Sequence, residues 1–177
     1  GVAVSEVSAM RVSAVYACVR IIGGAIASLP IDIFRRSPTG IAERINTSHA
    51  MWWPLNEQPH ARWTASAMWK WLAKSWLLRG DGFAWIQRDR LGQPIGLTPL
   101  HPATVDVENR GGRLVYFFTD PDEGKKRGVE QDDMIHLPGF GFDGVRGLSA
   151  IQWGARNSIG IALATDDFAG RFFGSGA

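Results

Sequence analysis

The residues with the strongest claim to chemistry lie in GFGFDGVRGLSAIQW, which begins at Gly139. Gly139, Gly141 and Gly144 fit G-x-G-x-x-G, and an apolar run from Met134 to Leu137 precedes them. In a dinucleotide-binding unit that pattern joins a strand to a helix whose N-terminus holds a pyrophosphate. Here Val145, Arg146, Gly147 and Leu148 intervene before Ser149, the natural cap of the helical run that follows. The acids that would meet a ribose, Asp166 and Asp167, fall inside that run and not at the end of a strand. The fingerprint therefore lacks its structural context.

Other candidate chemistry is thinner. His49, His60, His101 and His136 form no metal-type pair, and Cys18 is the lone cysteine, so no metal or cofactor is expected. A trio of Ser149, His136 and Asp143 can be drawn, yet no serine sits in a G-x-S-x-G elbow. The acid pairs Asp132-Asp133 and Asp166-Asp167 come without a partner for acid–base work. No enzyme is expected. The basic candidates for nucleic acid are Arg35 with Arg36, Arg88 with Arg90, and Lys125-Lys126-Arg127. Each is short, and the last follows Asp120, Asp122 and Glu123. Lysine plus arginine exceed aspartate plus glutamate by 19 − 17 = 2 across 177 residues, too little to announce nucleic-acid binding.

The elements around these residues read as follows. Hydrophobic content of 45% and charged content of 20% belong to a globular domain. No apolar run reaches the ~18 residues of a membrane span. Val12 to Ala27 reads as a helix striped by Val12, Val15, Val19, Ile22 and Ile26. Arg20 is its only charge, so the helix needs burial on several sides. Ile31 to Arg35 reads as a strand and Ser37 to Gly40 as a turn. A short helix spans Ser48 to Leu55, interrupted at Pro54. Thr64 caps a second clear helix to Arg79, closed by Gly80. Its apolar side, Ala65, Met68, Trp69, Trp71, Leu72, Trp76 and Leu78, covers half the circumference and so predicts two neighbours. Eight tryptophans, most between Trp52 and Trp85, predict a tryptophan-rich core.

From Gly82 to Leu137 the period becomes two, with short strands and tight turns, which predicts an antiparallel meander. A last helix from Ser149 to Phe173 carries a seam of small residues at Ala155, Ser158, Ala162, Thr165, Ala169 and Phe172. The fold class is α+β: two helices packed on an antiparallel meander, then a long C-terminal helix. The stripe from Val12 to Ile26 and the seam from Ala155 to Phe172 are packing surfaces, either inside the fold or between subunits, and so are the candidate subunit interface.

Taken in order, these segments resemble the N-terminal part of tailed-bacteriophage portal proteins of the short lambdoid type. SAVYACVRIIGGAIASLPIDIF is similar to that family's opening helix and strand. LNEQPHARWTASAMWKWL is similar to its Leu-Asn-x-x-Pro-Asn segment and Thr-capped helix, with His60 in place of Asn. LLRGDGFAWIQRD resembles Leu-x-Gly-Asn-Ala-Tyr with Asp81, Gly82 and Phe83 substituted. PIGLTPLHPATV resembles its Leu-x-Pro-Leu-x-Pro-x-x-Val run. MIHLPGF and DGVRGLSAIQW resemble its Ile-His and Asp-Gly-x-x-Gly-x-Ser-Pro stretches, with Ala150 for Pro. FFGSGA resembles Phe-Phe-x-Asn-Gly-Ala, with Ser175 for Asn.

The resemblance implies a non-enzymatic subunit of a ring, commonly dodecameric, at a capsid vertex of the virion. It implies assembly in the bacterial cytoplasm, double-stranded DNA passing through the channel, and docking by terminase, capsid and head-completion proteins, with no membrane. Residues 1–177 would form one wing-type domain that stops before the stem and clip and does not assemble into rings alone. Gly139, Gly141, Gly144 and Gly147 would supply left-handed turn geometry and Ser149 the helix cap. A nucleic-acid-binding module using Arg88, Arg90 and Lys125 to Arg127 is the alternative, and a small-molecule site at Gly139 to Ser149 is a third reading.

Overall fold

The computed structural model describes residues 4–174; Ser175, Gly176 and Ala177 of the last family segment lie outside the described residues. A short helix α1, Glu6–Ala9, is held by a capping box between Ser5 and Ser8. Helix α2, Ser13–Ser28, follows. It ends where Pro30 forces the preceding backbone out of helical geometry. Strands β1, Phe34–Arg36, and β2, Ala42–Arg44, form an exposed hairpin around a turn that contains Gly40. Sequence periodicity marks the first of these strands but not the second, whose three residues are all exposed and carry no apolar alternation.

Helix α3, Trp52–Asn56, contains Pro54 instead of being broken by it. Proline is tolerated there because first-turn N–H groups have no helical partner. Helix α4, Ala65–Arg79, begins at Thr64, whose hydroxyl accepts from the Ala67 amide at 3.2 Å. It ends at Gly80 in left-handed geometry with φ +91. Both ends sit where Thr64 and Gly80 predict.

Antiparallel pairing holds throughout the strands, but they divide into two three-stranded sheets. The first has the order β4-β3-β8, with β3 Asp81–Arg88, β4 Pro94–Leu100 and β8 Met134–Pro138. The second has the order β5-β6-β7, with β5 Asp106–Arg110, β6 Arg113–Thr119 and β7 Lys126–Glu130. The chain thus leaves the first sheet after β4, builds the second, and returns to pair β8 with the free side of β3. Strand spacing alone cannot report such a return.

Three clusters hold these parts together. Phe83, Leu100, Val105, Tyr116, Phe118 and Met134 fill the space between the sheets. Met68 and Leu72 of α4 press on Ala84 and Leu97 across the other face of the first sheet. Alternation along β3 sends Phe83 to one cluster and Ala84 to the other. Helix α2 packs on the back of α4, where a Cβ on Gly23 would lie 3.7 Å from the Lys70 carbonyl oxygen. The wide apolar arc of α4 therefore has its two predicted neighbours, sheet and helix.

The third cluster joins Ala9 to Ile159 and Leu163, with Val12 and Val15 against it. Ile159 and Leu163 belong to the C-terminal helical region, which is broken in two. Helix α5, Ala150–Trp153, stops at Gly154, and α6 runs from Arg156 to Gly174. The tryptophans surround the cores more than they fill them. Trp63, Trp69 and Trp71 pack partly buried against the α4 cluster, and Trp53 and Trp153 are exposed.

Candidate functional site

The glycine-rich loop is built against the junction of α4 and β3. The Gly139 amide donates to the Gly80 carbonyl at 2.6 Å. A Cβ on Gly147 would sit 2.2 Å from both the Gly139 nitrogen and the Gly80 oxygen, and one on Gly139 would sit 2.6 Å from the Gly80 oxygen. Only Gly141 and Gly144 have positive φ, +69 and +97. The expected left-handed geometry therefore applies to that pair. Gly139 and Gly147 serve close backbone approach, because three chain segments meet where no side chain fits. The loop closes on itself through Phe140 and Leu148, whose amide donates to the Phe140 carbonyl at 2.9 Å.

Asp81, fully buried at the start of β3, anchors this loop. Its Oδ2 accepts from Arg146 Nε at 2.7 Å, and its Oδ1 accepts from the Gly147 amide at 2.8 Å. His136 Nε2 lies 2.9 Å from the same Oδ1, and Tyr116 Oη lies 3.2 Å from His136 Nδ1. Arg146 also donates to the Val105 carbonyl at 2.8 Å and the Pro102 carbonyl at 3.2 Å, and its guanidinium lies over the Phe83 ring. One carboxylate thus ties the loop to both sheets. Burial, and then the Asp81 charge, push the Tyr116 hydroxyl above its ordinary pKa. The sequence signal for this network was available: an acid directly after a helix-closing glycine, at the head of an apolar strand.

Most of the loop's inward amides are already engaged. Its Gly139, Gly147 and Leu148 amides donate within the protein, and the Val145 and Arg146 amides donate to Asp143 Oδ1. Those two amides hold the Asp143 carboxyl below the usual range. Ser149 caps α5, accepting from the Gln152 amide at 3.2 Å, and donates to the Leu78 carbonyl at 2.6 Å. The trio of Ser149, His136 and Asp143 is therefore not assembled, since each member is engaged elsewhere. Among the described residues no group of three or more His, Cys, Asp or Glu could hold a metal.

Three of the seven basic candidates pair with acids, and Lys126 is exposed. Arg88 pairs with Asp133 at 2.5 Å and also donates to the Asp132 and Gly92 carbonyls. Arg127 pairs with Asp120 at 2.7 Å and Glu123 at 3.1 Å, and Lys125 pairs with Glu123 at 3.0 Å. Arg35, Arg36 and Arg90 remain exposed on the first hairpin and the β3–β4 turn.

The candidate interface residues divide. Val12, Val15 and Val19 face inward: Val19 is buried, and the other two pack on the α1–α6 cluster. Ile26 lines a groove, and Ile22 is exposed. On α6 the inward face is Ile159 and Leu163, which lie off the seam of small residues. Along that seam Ala155, Ala162 and Ala169 are half-buried, while Ser158, Thr165 and Phe172 are exposed. Opposite the buried face runs a ridge of Ile161, Thr165, Phe168 and Phe172, at helical spacing. The ridge shares Thr165 and Phe172 with the seam and adds the exposed Ile161 and Phe168 on the adjoining side of the helix.

The sequence profile of the phage portal protein family matches residues 13–177, and the chain belongs to that family. The portal protein of Enterobacteria phage HK97 is 30% identical over 168 residues, covering 95% of this chain and 39% of its own. The probable portal protein of Streptomyces phage phiC31 is 30% identical over 186 residues, covering 100% of this chain and 40% of its own. The chain thus spans about two fifths of the length of these curated relatives. Among solved structures, a chain in the neck of an empty gene transfer agent particle, with C6 symmetry, has a TM-score of 0.74 at 22% identity, covering 97% of this chain and 46% of that one. The neck of the native particle, with C12 symmetry, gives 0.71 at 21%, with the same coverage. These superpositions carry the fold: helices on antiparallel sheets, followed by a long helix.

Proposed function

We propose that this chain is the wing-type portion of a structural subunit that closes into a ring at a phage capsid vertex. Double-stranded DNA would pass through the assembled ring during packaging and ejection. Terminase, capsid and head-completion proteins would dock on it. The subunit would assemble in the bacterial cytoplasm and end in the virion. Membership of the portal family from residue 13 to residue 177 carries this reading. The C6 and C12 symmetries of the gene transfer agent necks fit a cyclic assembly.

Two features of the chain agree. Exposed apolar side chains occur on α2 (Tyr16, Ile21, Ile22) and α6 (Ile161, Phe168, Phe172), as well as on several loops and strands, and a subunit with neighbours has a use for such surface. Of the basic side chains that a nucleic-acid module would use, Arg88, Lys125 and Arg127 are engaged by acids, while Arg90 and Lys126 are exposed. The loop at Gly139 to Ser149 is a joint in this reading, not a ligand site. Among the described residues no helix is long and apolar enough to cross a membrane.

The test is the mass of the full-length parent protein in solution, with images of the particles. The expected result is a closed ring of about a dozen copies around a hole, the head-to-tail cyclic assembly. A parent protein that stays monomeric at high concentration would overturn the reading and move attention to DNA binding across salt.

A further inference from the structure

Helix α1 is fastened to α4 by Arg79, whose Nε and Nη2 donate to the two carboxylate oxygens of Glu6. The two helices and His101, the residue after β4, border a pocket of about 270 Å³. Drug-sized ligands fill roughly 300–1,000 Å³, so this volume suits a guest of a few heavy atoms. Trp71, Lys74 and Ser75 line it from α4, at the i, i+3 and i+4 spacing that puts side chains on one helix face. Val7 and Met10 line it from α1.

The polar groups of the pocket are donors. Ser75 is only 7% exposed, yet its hydroxyl has no hydrogen-bond partner among the described residues. A hydroxyl within a helix ordinarily turns back to the carbonyl four residues earlier, as Thr165 does to Ile161 at 2.9 Å. The Ser75 hydroxyl does not, and a buried hydroxyl left unpaired costs free energy that a guest would recover. His101 Nδ1 accepts from the Ala103 amide at 3.3 Å, so the ring proton sits on Nε2, a donor without a partner among the described residues. Lys74 is exposed and forms no ion pair among the described residues. The one carboxylate at the pocket, Glu6, is matched by Arg79, so the Lys74 charge is left over. Donors and a spare cation beside the carbon of Val7, Met10 and Trp71 suit an anionic acceptor with a short apolar tail.

We propose that the α1–α4 pocket binds a small monocarboxylate. Its oxygens accept from Ser75 and His101 beside the Lys74 ammonium, and its aliphatic tail lies on Val7, Met10 and Trp71.

Pentanoate is the probe, titrated calorimetrically into the full-length parent protein in a buffer free of other carboxylates. The expected result is a saturable isotherm with about one site per chain. Pentanamide, of the same shape without the charge, should bind at least tenfold more weakly. Ser75→Ala should weaken pentanoate binding about tenfold or more, as loss of a hydrogen bond to a charged group does. Lys74→Gln should weaken it by a smaller factor, because that ammonium is exposed. Neither substitution removes a hydrogen bond or ion pair of the described chain, so both variants should keep the parent's unfolding temperature. Heat without saturation would overturn the site, whether the pocket is too shallow or the rest of the parent chain covers it. Equal affinity in the parent and Ser75→Ala would put the carboxylate elsewhere, and equal affinity for pentanamide would remove the charge from its recognition. Either result also overturns the site. The pocket lies within one copy, so these outcomes read the same whether or not the parent closes into a ring.

Discussion

Asp81 is the most demanding single residue in the chain. Its carboxylate is fully buried and is faced by Arg146 Nε, the Gly147 amide and His136 Nε2. Removing a carboxylate from such a set leaves buried donors unpaired. Asp81→Ala should cost about 3–5 kcal/mol in urea unfolding. Asp81→Asn should cost less, because an amide oxygen can still accept from Gly147. An alanine variant as stable as the parent would show that the loop needs no anchor. Asp120 gives a second test. Burial pushes its carboxyl up, but the Asp122 amide, Arg127 and the Glu123 amide together outweigh burial and leave it below the usual range. A carboxylate with a lowered folded pKa adds stability that is present above its unfolded value, near 4, and lost as pH falls through the folded one. Asp120→Asn should therefore destabilise at pH 7 by about 1.5–3 kcal/mol, the worth of a charge-assisted hydrogen bond. The difference should shrink as pH falls below the unfolded value and through the folded one. An equal loss across that range would assign the effect to packing instead of charge.

At the level of elements, the joint between α4, β3 and the loop before α5 sets how the C-terminal helices leave the sheets. Its glycines act in two distinct ways, and substitution separates them. Gly147→Ala puts a Cβ against fixed backbone at 2.2 Å, so a segment must move. That should cost about 3 kcal/mol or more. At Gly144 nothing lies within 4 Å and only the positive φ resists, so Gly144→Ala should cost about 1–2 kcal/mol. For a domain of this size each kcal/mol corresponds to roughly 2–4 °C in melting temperature, so a thermal scan ranks the two. The reverse order would mean that the junction is loose. The helices show which local signals suffice. Thr64 and Gly80 bracket α4 because capping is settled by a few neighbouring atoms. The break between α5 and α6 falls at Gly154, but that glycine stays right-handed (φ −93) and does not close its helix in the left-handed way Gly80 closes α4.

For the whole molecule the informative contrast is between the two faces of α6. Leu163 is buried against α1 and α2, whereas Phe168 points away from them. Leu163→Ala should cost 2–5 kcal/mol in unfolding of this chain, as a buried leucine truncation does. Phe168→Asp should stay within about 0.5 kcal/mol, as an exposed site does. A large loss for Phe168→Asp would put its ring inside the fold and remove the ridge from consideration as a contact surface. The groove beside the C-terminal end of α2 and the outer face of α6 are among the exposed apolar surfaces of the described residues. A subunit with a neighbour on each side has a use for both.

The sequence by itself determined the elements whose evidence is local. The Thr64–Gly80 helix, the antiparallel character of the strands and the Ser149 cap follow from caps, alternation and turn chemistry within a few residues. It also determined the family, because six short segments keep one order along the chain. Only the tertiary structure decided that β8 returns to β3, that Val12, Val15 and Val19 face inward, and that Gly139 and Gly147 meet Gly80 backbone to backbone. It alone brought Asp81, Tyr116, His136 and Arg146 together. The reason is physical. Periodicity shows that a face is apolar but not which of several apolar faces it meets, and that choice is made by packing between segments far apart in sequence, as Ala9 and Ile159 are.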